Sequence, residues 1–125
     1  LGEVCLACAT GQLGGTTLEW RTEACVAVVL ASAGYPGSHE VGFEIHGCER
    51  AAEIPGVQVF HAGTKRGDDG VLRTAGGRVL AVSALGESFA AARRAAYEAA
   101  EKIEFEGKHL RGDIGARAAT IEGDG

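Results

Sequence analysis

Apolar positions change their period along this chain, and each change marks an element. Cys25–Leu30 is an unbroken apolar run rich in β-branched residues, the pattern of a buried strand. Val57–His61 alternates clearly and predicts another strand. Shorter stretches at Thr16–Arg21, Phe43–His46, Val71–Thr74 and Arg78–Ala84 predict more. Thr22 and Glu23 make a tight connection, so Thr16–Arg21 is expected to form a hairpin with the run from Cys25, with Trp20 anchored in the core. Leu1–Leu13 reads as a short helix stopped by Gly11, Gly14 and Gly15. Late in the chain the period becomes helical. Phe89, Ala92, Ala96, Ala99 and Ile103 share one face at spacings of three and four, while Arg93, Arg94, Glu101 and Lys102 point elsewhere. Ser88 is a good N-cap for this helix over 89–104, Glu98 and Lys102 form a favourable pair, and Gly107 is expected to end it.

Breakers punctuate these segments. Gly34, Pro36 and Gly37 stop the first apolar strand at once. Residues 48–56 read as an irregular connection, and Lys65–Gly70 as a charged, solvated hairpin tip rather than a phosphate cradle. Ala75-Gly76-Gly77 supplies a further turn, and Thr120 begins a frayed tail. Strands in hairpins followed by one long helix give an α+β class. The expected architecture is a small antiparallel β-rich domain with the helix packed on one face of the sheet.

Composition narrows the function. The 125 residues are one domain's worth, and 46% apolar with 23% charged residues excludes wholesale disorder. A net charge of −5 without a basic stripe argues against nucleic acid as a partner. No apolar run reaches membrane-spanning length and no signal-type segment leads the chain, so neither a membrane nor secretion is expected and the cytoplasm is the default. The absence of methionine and the start at Leu1 inside a helical pattern suggest a piece of something longer. Cys5 and Cys8 have CxxC spacing, yet Cys25 and Cys48 stand alone and no second close pair completes a zinc site. Buried or incidental thiols are expected.

Four segments in order carry a resemblance. They are Gly34-Tyr35-Pro36-Gly37-Ser38, then Val59–Thr64, then Gly76–Leu80 running on to Ala84-Leu85-Gly86, and finally Phe105-Glu106-Gly107 with Arg111–Gly115. Together, over roughly residues 16 to 118, they resemble the C-terminal domain of the phosphoribosylamine–glycine ligase (glycinamide ribonucleotide synthetase) family of the ATP-grasp superfamily. The resemblance implies part of an ATP-dependent ligase of de novo purine synthesis, joining glycine to 5-phosphoribosylamine through an acyl phosphate. Residues 1–15 would then be the last helix of a preceding ATP-grasp domain, 16–118 the ligase C-terminal domain and 119–125 a tail. ATP and Mg²⁺ (or Mn²⁺) would bind mainly on the missing domains, which are the implied partners, and the fragment would be inactive alone. The competing reading is a stand-alone, non-catalytic binding domain.

The resemblance also implies that this domain forms one wall of the substrate cleft, with no catalytic or metal-ligating residue of its own. Arg78 could meet a carboxylate or phosphate in bidentate fashion, or simply extend from a strand start into solvent. Tyr35 and Ser38 could hydrogen-bond substrate or only shape their turn. Arg111 and Asp113 could pair with each other or dock on the missing domains. His61 lacks an acidic neighbour and reads as structural; His39, His46 and His109 have no ligand spacing. The family loop usually reads Ser-Tyr-Glu-Lys-Gly. Here Ser38-His39-Glu40-Val41-Gly42 lacks that cation, and Gly112 stands where the family often has a second arginine.

Overall fold

The apolar run from Cys25 becomes a central strand of the sheet. In the computed structural model, which describes residues 1–123, the elements are α1 (Gly2–Ala9), β1 (Ala24–Ser32), α2 (Cys48–Ala52), β2 (Val57–His61), β3 (Thr64–Arg66), β4 (Leu72–Thr74), β5 (Arg78–Gly86), α3 (Phe89–Lys102), β6 (Lys108–His109) and α4 (Ala116–Gly123). The main sheet has the order β2-β5-β1-β6, and β3 and β4 form a separate two-stranded hairpin. All pairings are antiparallel, with Val28 opposite Val82 and Leu30 opposite Leu80. Helix α3 lies across one face of the sheet. The expected α+β architecture is the one this sequence adopts.

Alanine spacing explains how α3 lies on the sheet. Ala92, Ala96, Ala99 and Ala100 are all buried, and such small side chains let the helix backbone approach the sheet closely. Ala92 and Ala96 pack against Val26, Val28 and Ala84. Farther along, Ala99, Ala100 and Ile103 join Leu30, Val79, Leu80 and Val82. Ser88 Oγ accepts from the Ala91 amide at 3.1 Å, the expected N-cap. Glu98 and Lys102 pair at 4.0 Å. The helix ends earlier than its pattern suggests, because Ile103 turns extended and Glu104 bridges to His46. Phe89, expected on the buried face, is 37% exposed.

Other expectations change. Thr16–Arg21 forms no strand and no hairpin with β1, and Trp20 is 84% exposed rather than a core anchor. Alternation marks a segment able to pair; it cannot supply the partner's hydrogen bonds. Phe43–His46 is reduced to isolated bridges, Glu44 with Arg73 and His46 with Glu104. The Ala75–Gly77 turn joins β4 to β5, yet the two strands do not pair, since β4 lies on β3. The connection at 48–56 contains α2. Of the two readings of the thiols, burial does not hold for Cys5, Cys8 and Cys25, which are exposed; Cys25 Sγ sits 3.2 Å from Ser83 Oγ. The segment expected as a frayed tail is helical to Gly123 in α4, which packs on α3; Asp124 and Gly125 lie outside the described residues. Among the described residues, no helix is long and apolar enough to cross a membrane.

The charged tip between β3 and β4 has an internal tie. Arg73 donates through Nη1 to Asp69 Oδ1 at 2.9 Å and through Nη2 to Oδ2 at 2.7 Å, and the Val71 amide adds a third bond to Oδ1 at 3.0 Å. The Arg73 hydrogen bonds foremost, then the Val71 amide, lower the Asp69 carboxyl to about 2. A depressed carboxylate pKa stabilises the fold above the unfolded value of 3.8, and the contribution fades as pH falls through about 2. An NMR titration should therefore find the Asp69 carboxyl midpoint well below that of the other acidic side chains. In Arg73→Gln it should return toward the ordinary range.

Candidate functional site

The sheet face turned away from α3 is uncovered. Across three strands Val29, Ala81 and Phe60 stand in register, and Val29 and Phe60 are 44% and 52% exposed. The loop after β1 folds back toward this face. Ser32 secures its base, with the amide donating to the Gly77 carbonyl at 2.9 Å and the hydroxyl to the Gly76 carbonyl at 3.1 Å. Tyr35 then lies on the Gly76–Gly77 turn. A Cβ on Gly77 would run into the Tyr35 ring and come within 3.1 Å of His39 Cε1, so glycine here leaves room for the ring in this position. His39 holds the Tyr35 ring edge-on, with centroids 6.4 Å apart, and its Nδ1 lies 3.0 Å from the Gly37 carbonyl.

Two of the sequence candidates meet here. Tyr35 and Arg78 line one depression of about 610 Å³, together with Val29, Gly63, Gly77 and Ala81. Its lining mixes apolar Val29, Leu80 and Ala81 with Tyr35 and Arg78, residues whose phenol and guanidinium are suited to an organic anion. Tyr35 and Val29 also border a second depression of about 410 Å³, which reaches Pro36, Leu110, Arg111 and Ile114. Arg111 clasps Asp113 there, Nε to Oδ1 at 2.9 Å and Nη2 to Oδ2 at 2.6 Å. The hydrogen bonds between them push the Asp113 carboxyl down and the Arg111 guanidinium up.

Ser38 is not with them. It lines a separate depression of about 330 Å³ that also holds His39, Glu40 and Glu106, and a neighbouring hollow adds Glu44 and Glu104. Carboxylates at the rim make this side unfavourable for a phosphate or carboxylate ligand. His61 Nδ1 lies 3.1 Å from Thr64 Oγ1, a local contact within the β2–β3 corner. Among the described residues, no three His, Cys, Asp or Glu side chains converge to hold a metal. Sequence reasoning missed Arg93 and Tyr97, which bind the main chain around Arg111. Both sit on a helix whose outer face read only as polar, and their partners lie 14 to 21 residues away. No spacing signal marks such contacts.

Comparison with known proteins fixes the family. The model of the phosphoribosylglycinamide synthetase C domain matches residues 25–117. Phosphoribosylamine–glycine ligase of Salmonella typhimurium is 46% identical over 122 residues, covering 98% of this chain and 28% of that protein. The chloroplastic ligase of Arabidopsis thaliana is 45% identical, covering 94% of this chain and 22% of its own length. The ligase of Phenylobacterium zucineum is 52% identical over 114 residues, 90% of this chain and 27% of that one. The crystal structure of phosphoribosylamine–glycine ligase from Thermotoga maritima superposes with a TM-score of 0.68 at 44% identity, over 86% of this chain and 26% of that one. The chain thus spans a little over a quarter of the bacterial relatives' length. From the family match and the identity together, this chain belongs to the phosphoribosylglycinamide synthetase C-domain family.

Proposed function

We propose that this chain is the C-terminal part of a cytoplasmic, ATP-dependent ligase of purine synthesis. The whole enzyme joins glycine to 5-phosphoribosylamine and yields glycinamide ribonucleotide, ADP and phosphate. The observation that carries this reading is the family match over residues 25–117, with relatives near one-half identity that bear the ligase name. Residues 1–15 would close the preceding ATP-grasp domain. In support, α1 buries none of its residues, and Leu1 and Leu6 are 95% and 65% exposed. ATP and Mg²⁺ (or Mn²⁺) would bind mainly on the preceding domains, as the family resemblance implies.

The uncovered sheet face would then form one wall of the substrate cleft. Arg78 takes an anionic group of a substrate, the carboxylate of glycine or the phosphate of phosphoribosylamine, and Tyr35 supplies a flat wall with a hydroxyl at its end. Ser38, among carboxylates, shapes the loop instead. Arg111 and Asp113 stand at the rim, where the preceding domains meet this one. An arginine bound to a charged partner contributes about 1.5–3 kcal/mol, so Arg78→Ala in the full-length ligase should raise the KM of one substrate by about ten- to a hundredfold. Ser38→Ala should change either KM by less than about twofold. Steady-state assays of ADP release with each substrate varied make the measurement. An unchanged KM for Arg78→Ala removes it from the site. A full-length enzyme that forms no glycinamide ribonucleotide overturns the reading as a whole.

A further inference from the structure

The segment that carries Arg111 is held by side chains of α3. The Tyr97 hydroxyl donates to the Arg111 carbonyl at 2.5 Å and accepts from the Ile114 amide at 3.1 Å. Beside it, Arg93 donates through Nε to the Ile114 carbonyl at 3.0 Å and through Nη2 to the Gly112 carbonyl at 2.6 Å. The two holding residues brace each other, with the Arg93 guanidinium carbon 4.7 Å from the Tyr97 ring centroid. Two side chains thus satisfy four main-chain groups between residues 111 and 114. Gly112 and Gly115 make this loop intrinsically permissive, and the clamp adds four fixed points to the packing of Ile114 on the core.

The clamp's product is the placement of Arg111. That side chain and Asp113 are 70% and 64% exposed, and neither is anchored by burial. Yet Arg111 and Ile114 share a groove with Tyr35, Pro36 and Val29 on the uncovered face. We propose that Tyr97 and Arg93 are positioning residues: they act through the 111–114 main chain to present the Arg111–Asp113 pair at the rim of the candidate cleft. Helix α3 thereby governs a surface it does not itself line. This inference rests on the functional reading above for its kinetic consequence, and on hydrogen bonding alone for its structural one.

Tyr97→Phe separates the two, because it deletes only the hydroxyl and keeps the ring under Arg93. In the 125-residue chain, amide exchange at Ile114 should quicken by about tenfold or more, as expected when a donor loses its acceptor. In the full-length ligase the KM of a substrate should rise by about three- to tenfold, with kcat changed by less than about twofold. Arg111→Ala should do the same, and the double variant should be no worse than Arg111→Ala alone, because both act through one group. Should Tyr97→Phe fail to fold, Arg93→Lys tests the same clamp by dropping the paired hold on Gly112 and Ile114. Unchanged exchange at Ile114 overturns the clamp, whatever the enzyme does. Faster exchange with unaltered KM, or losses that simply add, overturns the positioning role. An inactive wild-type ligase would fail the functional reading and leave the exchange result standing.

Discussion

Replacing Gly47 by alanine is expected to destabilise this domain by more than about 3 kcal/mol. Gly47 precedes α2 with φ of 84°, a region where an L side chain costs about 1–2 kcal/mol. The larger cost is steric. A Cβ at this position would drive into the Lys102 carbonyl oxygen and lie 2.9 Å from its carbon. This obstacle is backbone and cannot swing aside. On both flanks the backbone is already fixed, by the two bonds between His46 and Glu104 and by the end of α3. The melting temperature should fall by roughly 10 °C or more. Gly47→Asn tests the cause, because asparagine tolerates the left-handed backbone but brings the same Cβ. If asparagine restored stability, backbone strain rather than collision would be the reason for glycine.

Leu80→Ala should cost about 2–5 kcal/mol. Leu80 is fully buried and stands opposite Leu30 in the β1–β5 register, within the cluster that includes Ile45, Ile103 and Phe105. Strands, helix and the 43–46 segment all meet it, so collapse around a cavity would require several elements to move together. Leu80→Met, which conserves volume, should cost less than about 1.5 kcal/mol. Chemical denaturation of both variants decides the matter. A loss under about 1 kcal/mol for alanine would mean that the core here is looser than its burial indicates. Because β5 begins at Arg78, two residues away, such loosening would also unsettle the candidate anion contact.

Local pattern was a sound guide where burial is continuous. The apolar run of β1, the alternation of β2, the alanine face of α3 and its Ser88 cap could all be read along the chain. Each depends on short-range geometry or on a side chain's own preference for the interior. The Gly-Tyr-Pro-Gly loop was likewise visible, and so was Arg78. Pattern failed where a partner was required. Thr16–Arg21 has the alternation of a strand and remains exposed with Trp20, while Phe43–His46 makes only bridges.

What the sequence by itself determined is therefore the family, the α+β class and the elements whose hydrophobic faces are self-evident. Tertiary structure alone decided which candidates line the same depression. It placed Tyr35 beside Arg78, because Gly77 leaves space for the ring, and it set Ser38 apart among glutamates. It also recruited Tyr97 and Arg93 to hold the Arg111 loop. These placements follow from strand register, turn closure and the packing of α3 on its sheet. They are distances between residues far apart in the chain, and no local preference encodes them.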